Sequence, residues 1–284
     1  MTTRVKPKKN LGQHFLANEG IARRIAGALV SETSPDAHGE AAEAASVSEN
    51  APDAHVSGKL NVLEVGCGTG ALTRHLLGRG DICLKGIEID GESIDYLREN
   101  LPAIMPNLYQ ADFLKCDLRK IFPRGDIAII GNFPYNISSQ IFFKVLDNKD
   151  IVPQVVGMLQ KEVAERLASG PGNKSYGILS VLLQAWYDIE YLFTVGENEF
   201  IPPPKVKSAV IRLRRNSRTD LGCDPALFKQ VVKAAFGQRR KTLRNSLRQL
   251  QGNDSFTVPE KFAGLRPEQL GVEDFICLTK ALGQ

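Results

Sequence analysis

Between residues 60 and 215, short apolar runs alternate with stretches whose apolar residues return every three or four positions. The runs read as strands and the recurring pattern as amphipathic helices. Strands are predicted at NVLEV (61–65), ICLKGIEI (82–89), LYQAD (108–112), DIAIIGN (126–132) and QVVGMLQ (154–160), and helices near 70–79, 91–100, 138–147 and 161–169. Strand and helix alternating in this way predict a parallel sheet with crossover helices. Two further runs, WYDIEYLFTV (186–195) and VKSAVIRLR (206–214), follow one another with no clear helix between them, which predicts an antiparallel pair at one sheet edge. The fold class is therefore α/β, with seven strands in a mostly parallel sheet. From Asp224 onward the pattern is helical throughout.

Ahead of the first strand, Asn18 stands where a helix cap belongs, followed by Ile21, Ile25, Ala28 and Leu29 at helical spacing, and the helix is predicted to end near Val30. Residues 1–10, with Arg4, Lys6, Lys8 and Lys9, are polar and basic and are expected to form a mobile arm. Residues 31–58 are rich in Ala, Ser, Glu and Pro, carry six acids and no Lys or Arg, and are expected to be a flexible acidic insertion. The near repeat SPDAH and APDAH within it places His38 and His55 in similar settings; duplication in low-complexity sequence accounts for this better than a metal site. The expected organisation is one domain over 1–215 and a small all-α domain over 216–284.

The 284 residues, 43% of them hydrophobic, suffice for such a domain pair. The net charge of +4 is modest, but its distribution is not: thirteen Lys or Arg lie between Lys205 and Arg248, against Asp220 and Asp224 alone. Such a stretch is either a solvated helix surface or a phosphate-binding face. The five cysteines are scattered without metal-ligand spacing, and no stretch has the apolar length of a membrane helix. A reducing cytoplasm is the expected setting, and no metal is expected.

Candidate chemistry begins where Val62–Val65 runs into Gly66-Cys67-Gly68-Thr69-Gly70 and then a helix, an arrangement that lets a ligand approach the backbone. The G-x-G-x-G spacing departs from the dinucleotide fingerprint and is more typical of methyltransferases. Glu88, about 20 residues on, closes the second strand where a carboxylate can accept from ribose hydroxyls. Asp112 closes the third, placed to accept from an adenine amino group. Together these acids favour an adenosyl ligand. Glu64 is expected to face its cationic end.

The fourth strand ends in Asn132-Phe133-Pro134-Tyr135. Adenine N6 is a poor nucleophile because its lone pair is delocalised into the ring, so a site that methylates it must hold N6 in line and favour its pyramidal form. The Asn132 side-chain oxygen and the Pro134 carbonyl can each accept one N6 hydrogen while Tyr135 stacks on the base. No strong general base is required. Phe200, ahead of Ile201-Pro202-Pro203-Pro204, is the candidate for a second aromatic across the base, or else a core residue closing the sheet edge.

These residues resemble the ribosomal RNA adenine dimethyltransferases. The matching stretches are KKNLGQHFL (8–16), VLEVGCGTGALT (62–73), GIEID (86–90), AD (111–112), GNFPYNISSQI (131–141), FIPPPKVKSAVIRL (200–213) and FGQRRKTLRNSL (236–247), in family order and over nearly the whole chain outside the insertion. The resemblance implies a Rossmann-like class I methyltransferase fold, S-adenosyl-L-methionine as donor, and N6,N6-dimethylation of two adjacent adenosines near the 3′ end of small-subunit rRNA within a pre-assembled 30S particle, by a monomer. It also implies that His14 and Leu16 line the cofactor pocket with Gly66, Gly68, Gly70, Glu88, Asp112 and Asn132, and that the C-terminal helices contact RNA. The insertion is the main departure from the family pattern. A DNA adenine methyltransferase, a non-catalytic assembly factor and an NAD-dependent oxidoreductase are the competing classes; the basic stretch, the intact motif set and the glycine spacing weigh against them in turn.

Overall fold

A computed structural model describes residues 5–30, 58–250 and 258–283. The predicted insertion, with His38 and His55, lies outside the described residues apart from Gly58. The strands are β1 (Phe15–Leu16), β2 (Leu60–Val65), β3 (Ile82–Glu88), β4 (Leu108–Gln110), β5 (Ile127–Asn132), β6 (Gln154–Gln160), β7 (Tyr187–Val195), β8 (Phe200–Ile201) and β9 (Ser208–Arg215). The helices are α1 (Glu19–Gly27), α2 (Thr73–Leu77), α3 (Gly91–Asn100), α4 (Leu118–Ile121), α5 (Ser138–Asp147), α6 (Lys161–Ala168), α7 (Ile178–Gln184), α8 (Pro225–Gly237), α9 (Leu243–Ser246), α10 (Glu260–Ala263) and α11 (Val272–Leu282).

Seven strands form one sheet in the order β4-β3-β2-β5-β6-β9-β7. The first five are mutually parallel, while β9 runs antiparallel to both β6 and β7. The antiparallel pair thus sits at the predicted edge, with β9 inserted between β6 and β7. A strand covered on both faces deals successive side chains into two cores, and β5 does so: Ile127 and Ile129 enter one buried cluster, Ala128 and Ile130 the other. Residues of α1, α2 and α3 close one face; those of α4, α5, α6 and α7 close the other.

The cluster that holds Ile127 and Ile129 runs on without interruption into Phe228, Val231, Phe262 and Phe275 of the C-terminal helices. These helices therefore share an apolar core with the sheet, and α8 packs directly on α7. Sequence periodicity omits α7, because ILSVLLQ buries Ser180, Val181, Leu182 and Leu183 in succession and has no polar face to reveal its turn. It also omits the two-residue pairing of β1 with β8, in which Leu16 faces Phe200.

Local chemistry sets the element ends. The Asn18 side chain accepts from the Ile21 amide at 3.0 Å and starts α1, which stops at Gly27, short of Val30. Asp90 caps α3 and Asp117 caps α4 in the same way. The helix after the glycine loop is only five residues long, bounded by Gly78. The expected mobile arm is tied down where it is described: Val5 is buried and Lys8 forms an ion pair with Asp90.

Candidate active site

The carboxyl ends of β2, β3 and β5 converge on a cavity of about 240 Å³, the place where open parallel sheets bind ligands. Gly66 and Gly68, Glu88, Asp112, and Asn132 to Tyr135 line it, with residues 10–15 forming a further wall that contains His14. A smaller adjoining space of about 30 Å³ is lined by Leu16, Glu64 and Cys67 and shares Gly66, Gly68 and Asn132 with the first.

Gly66 adopts φ +75°, and a β-carbon placed there would project into open space with no protein atom within 4 Å. Bare backbone facing a void is what a ligand lying against the loop requires. Gly70, at φ +77°, differs: a β-carbon there would lie 2.4 Å from Leu101 Cδ1 and 3.1 Å from Leu97 Cδ2. Gly70 lines neither space, and its bareness serves packing against α3 and the residue after it.

The Glu88 carboxylate is almost fully buried and is held by three backbone amides: Gly68 donates to Oε2, and Ile89 and Asp90 donate to Oε1, each at 2.8 Å. Burial raises its pKa, and those three donors oppose the rise. Asp112 lies two residues beyond β4, not at its end; its Oδ1 accepts from the Leu114 amide at 2.9 Å, and Lys115 stands 3.7 Å from Oδ2. Ile87, Ile89, Phe113 and Leu114 supply the apolar walls between these acids, and Ile89 is half exposed, as an apolar side chain facing a ligand cleft must be.

Asn132 lines both spaces. Its Nδ2 donates to the His14 carbonyl at 2.8 Å. A carbonyl can only accept, so the amide nitrogen belongs on that side and the side-chain oxygen is left for another donor. The Pro134 carbonyl already accepts from the Ile137 amide at 3.1 Å and has one further lone pair. Tyr135 stacks on His14 with ring centroids 5.4 Å apart, and its hydroxyl meets Ser208 Oγ at 2.5 Å. His14 Nδ1 donates to the Pro202 carbonyl at 2.9 Å, since that oxygen too can only accept.

Besides Gly70, two expectations are corrected by this geometry. Phe200 is 2% exposed, pairs with Leu16 across β1 and β8, and belongs to the core beside Ile25 and Val210, so its ring does not line the cavity. Leu16 lines only the smaller space. Glu64 is wholly buried, and its Oε2 has no hydrogen-bond partner among the described residues. Burial, with the Glu88 charge adding, pushes its carboxyl up to about 8, so at neutral pH it is a neutral acid in this state rather than a standing anion.

The cleft has donors and acceptors for an adenosine, bare glycine backbone, and an acceptor poised for an amino group; similarity to known proteins decides among adenosyl chemistries. The profile of the ribosomal RNA adenine dimethylase family matches residues 4–270. This chain belongs to that family. The enzyme is an rRNA adenine dimethyltransferase that uses S-adenosylmethionine as methyl donor. It is 55% identical over 275 residues to the "Ribosomal RNA small subunit methyltransferase A" of Parabacteroides distasonis, covering 97% of this chain and 93% of the relative. Among solved structures, it is similar to a dimethyladenosine transferase from Plasmodium falciparum (TM-score 0.71, 25% identity, 93% and 96% of the two chains). It is also similar to the 23S rRNA methyltransferase ErmE (TM-score 0.61, 26% identity, 95% and 100%). Among the described residues no helix is long and apolar enough to cross a membrane.

The basic stretch divides on inspection. Arg212, Arg218, Lys229, Arg239 and Arg244 are each paired with an acid within 4 Å: Glu190, Glu273, Asp147, Glu268 and Glu260 respectively. Lys205, Lys207, Lys233, Arg240 and Lys241 are exposed, and no acid within 4 Å is found for them among the described residues.

Proposed function

We propose that the enzyme dimethylates N6 of two adjacent adenosines near the 3′ end of small-subunit rRNA, acting in the cytoplasm as a monomer on a partly assembled 30S particle. The near full-length similarity to a small-subunit methyltransferase, against 26% identity to the 23S enzyme ErmE, supports the small-subunit assignment. Residues 1–215 would carry the chemistry, and the C-terminal helices from 216 would grip RNA through Arg240 and Lys241.

In this reading Glu88 receives the ribose hydroxyls of S-adenosylmethionine, Asp112 its adenine amino group, and the backbone at Gly66 and Gly68 lies along it, with His14 closing the wall. The bound donor supplies an electrophilic methyl group on a positively charged sulfur. The target adenine rests against Tyr135. Asn132 Oδ1 and the Pro134 carbonyl draw the two N6 hydrogens into one plane of acceptors, which frees the nitrogen lone pair for in-line attack. A monomethylated amine keeps one hydrogen, so a single acceptor can orient the second transfer; Asn132 Oδ1 serves, because Pro134 already shares its oxygen with Ile137. The transfer balances without a base in the pocket: as N6 bonds the methyl carbon the S–CH3 pair stays on sulfur, leaving S-adenosylhomocysteine, and the cationic N6 product gives its proton to solvent.

The observation that carries this reading is the Asn132 carboxamide, fixed by the His14 carbonyl with its oxygen left over. Mass spectrometry of small-subunit rRNA incubated with enzyme and donor tests it: two dimethylated adenosines in one fragment are expected. Methylation of duplex DNA in preference to rRNA, or of large-subunit rRNA, would overturn it.

A further inference from the structure

Residues 8–14 form a strap along one wall of the cavity, and its attachments centre on one side chain outside the catalytic set. Lys8 Nζ lies 2.5 Å from Asp90 Oδ1 and 3.2 Å from Glu92 Oε1, and Gln13 Nε2 donates to Asp90 Oδ2 at 3.1 Å. The Lys8 amide donates to Gln13 Oε1 at 2.9 Å and closes the strap on itself. Farther along, Asn136 Nδ2 reaches the Asn10 carbonyl at 3.4 Å, and Asn132 holds the His14 carbonyl.

The Asp90 side chain is only 1% exposed, against 34% for Lys8. Its remaining donors are the Glu92 amide and the Ser93 hydroxyl, both within α3. Burial works against the Asp90 charge, but Lys8, Gln13 and Ser93 outweigh it and hold the carboxyl below its usual range. Lifting the strap would take two of four donors from a buried carboxylate, which makes the seated state strongly preferred. The Asp90 amide also donates to Glu88 Oε1. The same residue therefore holds the strap and one oxygen of the acid assigned to the ribose.

We infer that Asp90 is a positioning residue: through Lys8 and Gln13 it latches the 8–14 strap over the methyl-donor site and ties that closure to the orientation of Glu88. The inference rests on the donor-site reading above. The latch slows donor and product release and keeps the His14 carbonyl in place for Asn132. It acts on affinity and residence time before it acts on the methyl-transfer step.

The test uses the full-length enzyme with Lys8→Met, which removes the cation, and Asp90→Asn, which keeps a capping oxygen for α3. In the ligand-free proteins, hydrogen exchange at the amides of residues 10–14 should quicken in both variants while α3 keeps its protection. Dissociation of radiolabelled S-adenosylhomocysteine should accelerate ~3- to 10-fold in each, with KM for the donor rising in parallel and kcat falling less than KM rises. The double variant should fall well short of the sum of the single ones, because Lys8 acts on the strap chiefly through Asp90. Unchanged exchange and release in Lys8→Met, or additive effects in the double variant, overturns the latch. Failure of the unaltered enzyme to bind S-adenosylhomocysteine would instead overturn the donor site itself, and the latch with it.

Discussion

Replacing Asn132 separates two jobs that one carboxamide performs. Asn132→Ala removes the acceptor proposed for adenine N6, a loss of about 3 kcal/mol of transition-state stabilisation, or roughly a hundredfold in kcat. It also removes the donor that holds the His14 carbonyl at 2.8 Å, a hydrogen bond worth about 1 kcal/mol, or roughly fivefold in donor affinity if that part of the strap loosens. From sequence Asn132 reads as the N6 acceptor and as a residue lining the cofactor pocket; its grip on the His14 carbonyl, and so the second cost, follows from the fold. Asn132→Asp distinguishes the two: it keeps an acceptor toward N6 but sets a carboxylate oxygen against the His14 carbonyl, where both can only accept. Its donor affinity should fall at least as far as that of the alanine variant. Single-turnover methyl transfer to small-subunit rRNA with tritiated donor reports the first effect, and calorimetric titration with S-adenosylhomocysteine reports the second. A single-turnover rate for Asn132→Ala within threefold of the unaltered enzyme would refute the acceptor role. Affinities unchanged in both variants would refute the strap contact.

Three further outcomes are expected. Glu64 titrates near 8 in the folded chain against about 4.3 when unfolded, so its contribution to stability is fully present below the unfolded value and is lost as pH rises toward 8. Glu64→Gln does not titrate, so its Tm relative to the parent should climb between pH 5 and 8, by no more than about 5 kcal/mol in stability; a pH-independent difference in calorimetric melts would contradict the buried neutral acid. Phe200→Leu should cost about 1–2 kcal/mol of stability by imperfect core filling, with kcat on rRNA within threefold of the parent. A tenfold fall in kcat at unchanged Tm would restore its ring to the base site. Arg240→Glu with Lys241→Glu should lower the slope of log affinity for rRNA against log salt by about 2, and an unaltered slope in filter binding would exclude these side chains from the phosphate contacts.

Much of this protein was legible along the chain because the relevant signals are short-range. Strand periodicities set β2, β3, β5 and β6 to within a residue or so, since most of each strand is buried and its apolar run has sharp ends. The glycine loop, Glu88 and the Asn-Phe-Pro-Tyr turn could be placed together because parallel sheets bring the carboxyl ends of their strands to one side. What a residue meets across the fold is a different matter. Phe200 read equally well as pocket or core, and only the pairing of β1 with β8, between residues almost two hundred positions apart in sequence, turned it inward. Glu64 has the same formula in any setting, and its protonation was decided by its burial among residues of the fold. α7 escaped notice because burial on every side erases the polar stripe by which a helix declares itself. Local sequence thus determined the elements and the chemical repertoire, while long-range packing decided which carboxylates are charged, which aromatics face the cleft, and how Asp90 comes to hold Lys8, because desolvation and contact depend on neighbours the chain brings in from far away.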